Sequence, residues 1–221
     1  VHRTEFAERL VSGLSGWFQQ LAAQELHLQV GEDAARVELV RMISAQRAFI
    51  PETSKRPLGW PSREIDVAVL GRRTGAGGWY GAIELKWPGT ANAVSAVRQD
   101  IVQDALRVAF SPTSNMNAKF VIVGGSAPAM DRLFDQAHPQ SATAESQRVK
   151  FVQLFSRNLA SPDRQLTNKA LLSAFPAALG RIHPNVTNGW KRRFATSLVA
   201  MAEARVGTAV KGQAFVWQCA K

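Results

Sequence analysis

Cysteine is almost missing from this chain: Cys219 stands alone among 221 residues. No disulfide framework can form, and a reducing compartment, the cytoplasm, is the expected setting. Acid is also short. Against 27 Lys+Arg there are 17 Asp+Glu, a net charge of +10 with an isoelectric point near 10.6. Nineteen of the basic residues are Arg, the side chain best shaped to hold phosphate with two parallel hydrogen bonds. Such an excess points to a polyanion, most often nucleic acid, although an anionic membrane surface offers similar electrostatics. No apolar run approaches the length of a membrane span, and the first residues carry no signal-peptide pattern, so a membrane partner is not expected. The four histidines (His2, His27, His138, His183) show no ligand or triad spacing. With no His-Glu-x-x-His, nucleophile-elbow or Cys-x-x-Cys pattern, zinc, serine and cysteine chemistry have no support. Repeats and low-complexity tracts are absent. The hydrophobic fraction of 46% suits a globular chain, and this length suits a single domain over 1–221 with a sizeable core.

What is present centres on two apolar, β-branched runs, Glu64 to Leu70 and Tyr80 to Trp87, flanking a glycine-rich stretch from Gly71 to Gly78. The pattern reads as a hairpin. If it closes with Leu70 opposite Tyr80, Asp66 falls opposite Glu84. Side chains alternate along a strand, so Glu84 and Lys86 share one face, while Ile83, Leu85 and Trp87 point the other way into a core. Two carboxylates and a lysine on nearly buried strands cost free energy unless something pairs them, and a divalent cation would do so.

Asp66 followed by Glu84-x-Lys86, within the string Ala-Ile-Glu-Leu-Lys-Trp, resembles the PD-(D/E)xK nuclease superfamily, the fold of many type II restriction endonucleases. Ile65 stands where the pattern often has proline. The resemblance implies an α/β fold with a mixed sheet flanked by helices, built on an αβββαβ core over roughly residues 30–125. It implies that Asp66 and Glu84 hold Mg2+, or Mn2+ in its place, with the Leu85 carbonyl as a further oxygen ligand, and that Lys86 orients or polarises the attacking water. Members place one more acidic residue on the helix before the first core strand. Glu38 is the choice for that role and Glu32 the alternative; a solvated Glu38 paired with Arg41 three residues on is the competing reading. Gln99 and the run from Asp104 to Arg107 resemble the polar positions of the helix that follows the motif, where they would orient site groups or water.

The remaining elements are read from periodicity. Helices are expected over 4–28, 33–47 (with Val37, Val40 and Ile43 on one side), 91–110 and 131–137, and from beyond Arg193 to about Ala204. Strands are expected over 48–52, 119–123, 149–155 and 214–218, the last at a sheet edge. The order strand, helix, strand across 80–123 implies a parallel crossover. Lys55, Arg56 and Arg63 around a Trp- and Pro-rich loop, and Arg72 and Arg73 at the hairpin tip, are the candidate nucleic-acid contacts. The tip is not a phosphate-binding loop, because no Gly-Lys-Ser/Thr and no helix N-terminus follow it. The expected function is therefore a Mg2+-dependent endonuclease acting on DNA. A catalytically idle DNA- or protein-binding module on the same fold and an RNA-directed nuclease are the alternatives, and a homodimer is compatible with each.

Overall fold

The computed structural model describes residues 3–55, 64–71, 79–89, 93–110, 118–135, 142–159, 164–176, 178 and 193–220. Helices α1 (Arg3–Ala23) and α2 (Glu32–Ser44), with a 3-10 turn at His27–Gln29 between them, precede three strands: β1 (Phe49–Lys55), β2 (Ile65–Gly71) and β3 (Trp79–Lys86). Then come α3 (Val94–Phe110), β4 (Ala118–Ser126), α4 (Ala127–Asp135), α5 (Ala142–Leu154), β5 (Arg164–Leu166), α6 (Asn168–Ala174), β6 (Phe194–Val206) and β7 (Ala209–Ala220). The seven strands form one mixed sheet in the order β1-β2-β3-β4-β7-β6-β5, in which only β3 and β4 run parallel. The chain is thus α/β, and the run from α2 to β4 has the order helix, three strands, helix, strand. None of its described helices is long and apolar enough to cross a membrane.

Alternation along the central strands feeds two cores. Val67, Val69, Ile83, Leu85 and Trp87 point to the face covered by α1 and α2, where Phe6, Leu10, Leu14 and Phe18 of α1 repeat every four residues. The opposite face packs α3, α4, α5 and α6 through Ile101, Leu106, Phe134, Phe151 and Leu171, against Val121, Val123, Phe215 and Trp217 of the sheet. The expected register holds over Val67↔Ile83, Ala68↔Ala82 and Val69↔Gly81, and an irregularity then puts Leu70 opposite Trp79 instead of Tyr80.

Several expectations fail for identifiable reasons. α1 stops at Ala23 because Glu25 takes a left-handed φ of 61°, while Leu26 N–H bonds Leu21 O at 2.9 Å and Glu25 N–H bonds Ala22 O. That pair of bonds is a helix-terminating motif usually built on glycine, so the sequence does not advertise it. Val37 is exposed, and α2 buries Ala35, Leu39 and Ile43 in its place. Residues 149–155 are not a strand but the end of α5 and its exit: Gln147, Phe151 and Leu154 are buried at helical spacing, whereas Val149 and Val152 face solvent. The expected helix up to Ala204 is β6. Its alanine-rich composition favours a helix, but Gly207, at φ 60°, closes a two-residue hairpin with Val206 opposite Ala209, and β6 pairs with β7 over nearly its full length. β7 is consequently interior, between β4 and β6, and not an edge.

The parallel β3–β4 contact fixes where the site will sit, and it is tight at its start. Gly81 pairs with Ala118, and a Cβ at Gly81 would lie 2.7 Å from the Ala118 carbonyl oxygen. Gly81→Ala should therefore destabilise the fold by about 1–3 kcal/mol, the usual cost of overpacking, read as a lower urea midpoint with an unchanged slope. A midpoint equal to wild type would mean that β3 and β4 part easily at this point.

Candidate active site

The β2–β3 ladder is paired as far as Val67↔Ile83, and one step further Asp66 and Glu84 stand on neighbouring strands. Beyond the ladder, the backbone N–H of Leu85 donates to Asp66 Oδ2 at 2.9 Å, so a side chain of β2 takes a donor the ladder leaves over. In a strand the carbonyl of a residue points to the same edge as its N–H, which aims the Leu85 carbonyl toward the same region. Glu84 is 1% exposed, and the Asp66 carboxyl on the neighbouring strand is close enough to disfavour its ionisation.

Helices from both layers close on this end of the sheet. From α3, Asp104 and Arg107 reach in one turn apart: Arg107 pairs with Asp104, and its Nε lies 3.1 Å from Glu84 Oε1. Arg107 Nη1 also donates to the Glu64 carbonyl at 3.2 Å, tying α3 to the entry of β2. From the first turn of α2, Glu32 approaches Lys86 Nζ at 3.4 Å, and Lys86 Nζ is equally 3.4 Å from Asp104 Oδ2. One turn along α2, Arg36 Nη2 lies 3.1 Å from Glu32 Oε1 and 3.3 Å from Asp66 Oδ1.

These ion pairs run in series through Asp66, Arg36, Glu32, Lys86, Asp104, Arg107 and Glu84, and the two ends, Asp66 and Glu84, are neighbours on adjoining strands, so the series curves into a ring. Charge alternates at every step but one. At the Asp66–Glu84 junction two acids are neighbours, and among the described residues no ion pair bridges them.

Protonation follows from that layout. Burial, then Asp104, push the Glu84 carboxyl well above the ordinary 4.5; Arg107 offsets part of this, and Asp66 adds to it. Burial likewise raises the Asp104 carboxyl, against the pull of Arg107 and Lys86. For Lys86, burial alone would lower the ammonium, but Asp104, Glu32 and Asp66 together outweigh it and hold the group above its usual range. Lys86 is therefore a cation at neutral pH.

Of the residues singled out in the sequence, Asp66, Glu84, Lys86 and Asp104 come together here. Glu38 does not. It is bound by Arg41 through Nε–Oε2 at 2.8 Å, and six residues of α-helix turn it to a different side of α2 from Glu32. Glu32, the alternative, is the acid of α2 that reaches the site. Gln99 is half-buried on α3 outside the ring. Arg56, Arg63, Arg72 and Arg73 lie outside the described residues, as does the side chain of Lys55. Arg36 was not anticipated, although its place four residues after Glu32 puts both on one helical face.

A resident cation needs oxygen donors. Among the described residues no group of three or more His, Cys, Asp or Glu side chains is placed to hold an ion. The junction itself offers two carboxylates, and Glu84 Oε1 is buried without a hydrogen bond of good geometry despite its ion pair with Arg107. Two carboxylates, with the remaining positions left to water and phosphate, is the donor set Mg2+ ordinarily takes. The residues present fit such an ion.

The raised carboxyls fix a pH dependence. Glu84 binds its proton more tightly folded than unfolded, so its contribution to stability is complete below the unfolded value and is lost as pH climbs through the folded one. In EDTA, Glu84→Gln should melt progressively above wild type as pH rises from about 4.5, with the gap levelling off once Glu84 is ionised in the folded state. A gap that stays constant with pH would contradict the burial and the like-charge contact of Glu84. Comparison with known proteins finds no matching family model, no similar curated protein and no similar solved structure, so the meaning of this site rests on its own geometry.

Proposed function

We propose that this chain is a divalent-cation-dependent nuclease that hydrolyses phosphodiester bonds in DNA, with a core of the PD-(D/E)xK type. The observation that carries the reading is the acid–acid junction of Asp66 and Glu84 in a ring that otherwise neutralises every charge. Asp66 and Glu84 would hold Mg2+, or Mn2+, with the Leu85 carbonyl as a further oxygen. The chemistry supplied there is the acidification of water and the neutralisation of charge building at phosphorus.

The chain's own residues do the rest. Lys86, held protonated by Asp104, Glu32 and Asp66, has three N–H donors and no acceptor, so it orients the attacking water and stabilises the developing oxyanion. It does not take the water's proton. Asp104 fixes Lys86 and Arg107 together, and Glu32 holds Lys86 from the α2 side. The net charge of +10 draws the polyanion in without regard to sequence and makes that capture salt-dependent.

One observation favours a second reading, a binding module that does no chemistry: the ring balances its other charges internally and could persist with only a proton at the junction. Incubating the purified chain with plasmid, single-stranded DNA and RNA, in Mg2+ or EDTA, separates the two. Mg2+-dependent cleavage of DNA is expected, and Asp66→Ala, Glu84→Ala and Lys86→Ala should each lower it by about a hundredfold or more. DNA affinity should survive in the acidic-pair variants, since removing a carboxylate relieves repulsion of the phosphates. Cleavage confined to RNA would move the substrate class. No metal-dependent cleavage of any nucleic acid, with DNA bound equally in Mg2+ and EDTA, would leave the binding module as the account.

A further inference from the structure

Arg36 has more capacity than the ring uses. Its guanidinium serves three carboxylates at once: Glu32 at 3.1 Å, Asp66 at 3.3 Å and Asp33 at 2.9 Å. Its Nε is buried and makes no hydrogen bond. Arg107, the other arginine of the ring, has an 11% exposed side chain and is tied down by the Glu64 carbonyl. Arg36 stands at the rim, 29% exposed, and one of its partners, Asp33, is 94% exposed and gives it little hold. Asp66 is the acid it shares with the junction.

We infer that Arg36 is an exchangeable counter-ion: it neutralises Asp66 in the cation-free protein and is released to grip the substrate phosphate once a cation takes over Asp66. The inference rests on the nuclease reading of the same site. The physical reason is a competition for one carboxylate. A guanidinium and a divalent cation cannot both sit against Asp66 without mutual repulsion, and the divalent charge wins at a site of two acids. Freed from Asp66, the planar fork of Arg36 remains on α2 beside the junction, suited to two oxygens of a phosphate. Cation and DNA then bind with positive coupling through this one side chain, and the coupling is reciprocal.

Two measurements on the full chain test this without any turnover. Ca2+ serves as the probe cation, because its larger, looser coordination favours binding over chemistry. Calorimetry gives Ca2+ affinity in the absence of DNA, and anisotropy of a labelled duplex gives DNA affinity with and without Ca2+. In wild type, Ca2+ should tighten DNA binding by about tenfold, within the usual range of site-to-site coupling. Arg36→Gln should bind Ca2+ more tightly than wild type on its own, yet lose most of the coupling. Arg36→Lys keeps the charge and with it the fold, and should also lose part of the coupling, since a point-like ammonium cannot span two phosphate oxygens. Unchanged Ca2+ affinity in Arg36→Gln, or wild-type coupling in both variants, overturns the inference while leaving the nuclease reading in place. A wild type that binds no Ca2+ and cleaves nothing in Mg2+ removes the nuclease reading itself, and this inference with it.

Discussion

A carboxylate that is 1% exposed near the carboxyl end of an interior strand governs this structure. Glu84 has left water almost completely, and a buried acid must be protonated, paired or liganded. Its neighbours answer with the ring of alternating charge. Removing one partner of a buried pair strands the other at a cost of about 3–5 kcal/mol. The ring members therefore depend on one another, and α2, α3 and the two strands are held in mutual position by charge as well as by packing. The cost of assembling so many ionisable groups is offset because Lys86 and Arg107 each pair with two acids and Arg36 with three.

The place where this happens follows from the topology. β3 leaves β2 just where its chain turns toward the parallel crossover, so Glu84 and Lys86 sit at the carboxyl end of the strand beyond the last paired residue of β2. Parallel neighbours need a connection that crosses one face, and α3 supplies it, bringing Asp104 and Arg107 from one layer. The N-terminal end of α2 comes over the sheet end from the other layer, with Glu32 in its first turn and Arg36 one turn on. Acids at a helix N-terminus are favoured by the helix dipole, which suits Glu32 and Asp33 in the first turn. A cleft of about 370 Å3, bounded by Glu32, Lys86, Trp87, Pro88, Val97 and Asp100, opens beside the ring on the same side.

Much of this was legible in the sequence because it is local. The alternation around Asp66 and Glu84 fixes faces and register within one hairpin, and the run from α2 to β4 follows from short-range periodicity. What escaped depends on distant partners. β6 reads as a helix in isolation because alanine, leucine and methionine favour one, and only pairing along β7 overrides that preference. Residues 149–155 alternate like a strand, yet Phe151 and Leu154 are buried three apart against α3 and α6 from another part of the chain. The choice of Glu38 over Glu32 was lost for a similar reason. Both are acids of α2, and only the position of the α2 N-terminus over the sheet end separates them. Arg36 carried a local signal, the four-residue spacing from Glu32, but its link to Asp66 spans thirty residues.

The junction also bears on why the chain would be an enzyme and not a scaffold. Seven charged side chains closing on themselves need an even alternation to be neutral throughout, and this ring has four acids to three bases. A glutamine at position 84 would fill the same volume, donate a hydrogen bond to Asp66 and end the like-charge contact. For a surface that only binds nucleic acid, that residue would be the less costly one, since an added buried acid repels phosphate and must be protonated to persist. A second ionisable carboxylate at this point is satisfied either by a proton or by a positive charge from outside the chain. The proposal of cation-assisted hydrolysis at Asp66 and Glu84 rests on that choice, rather than on the three-residue pattern alone.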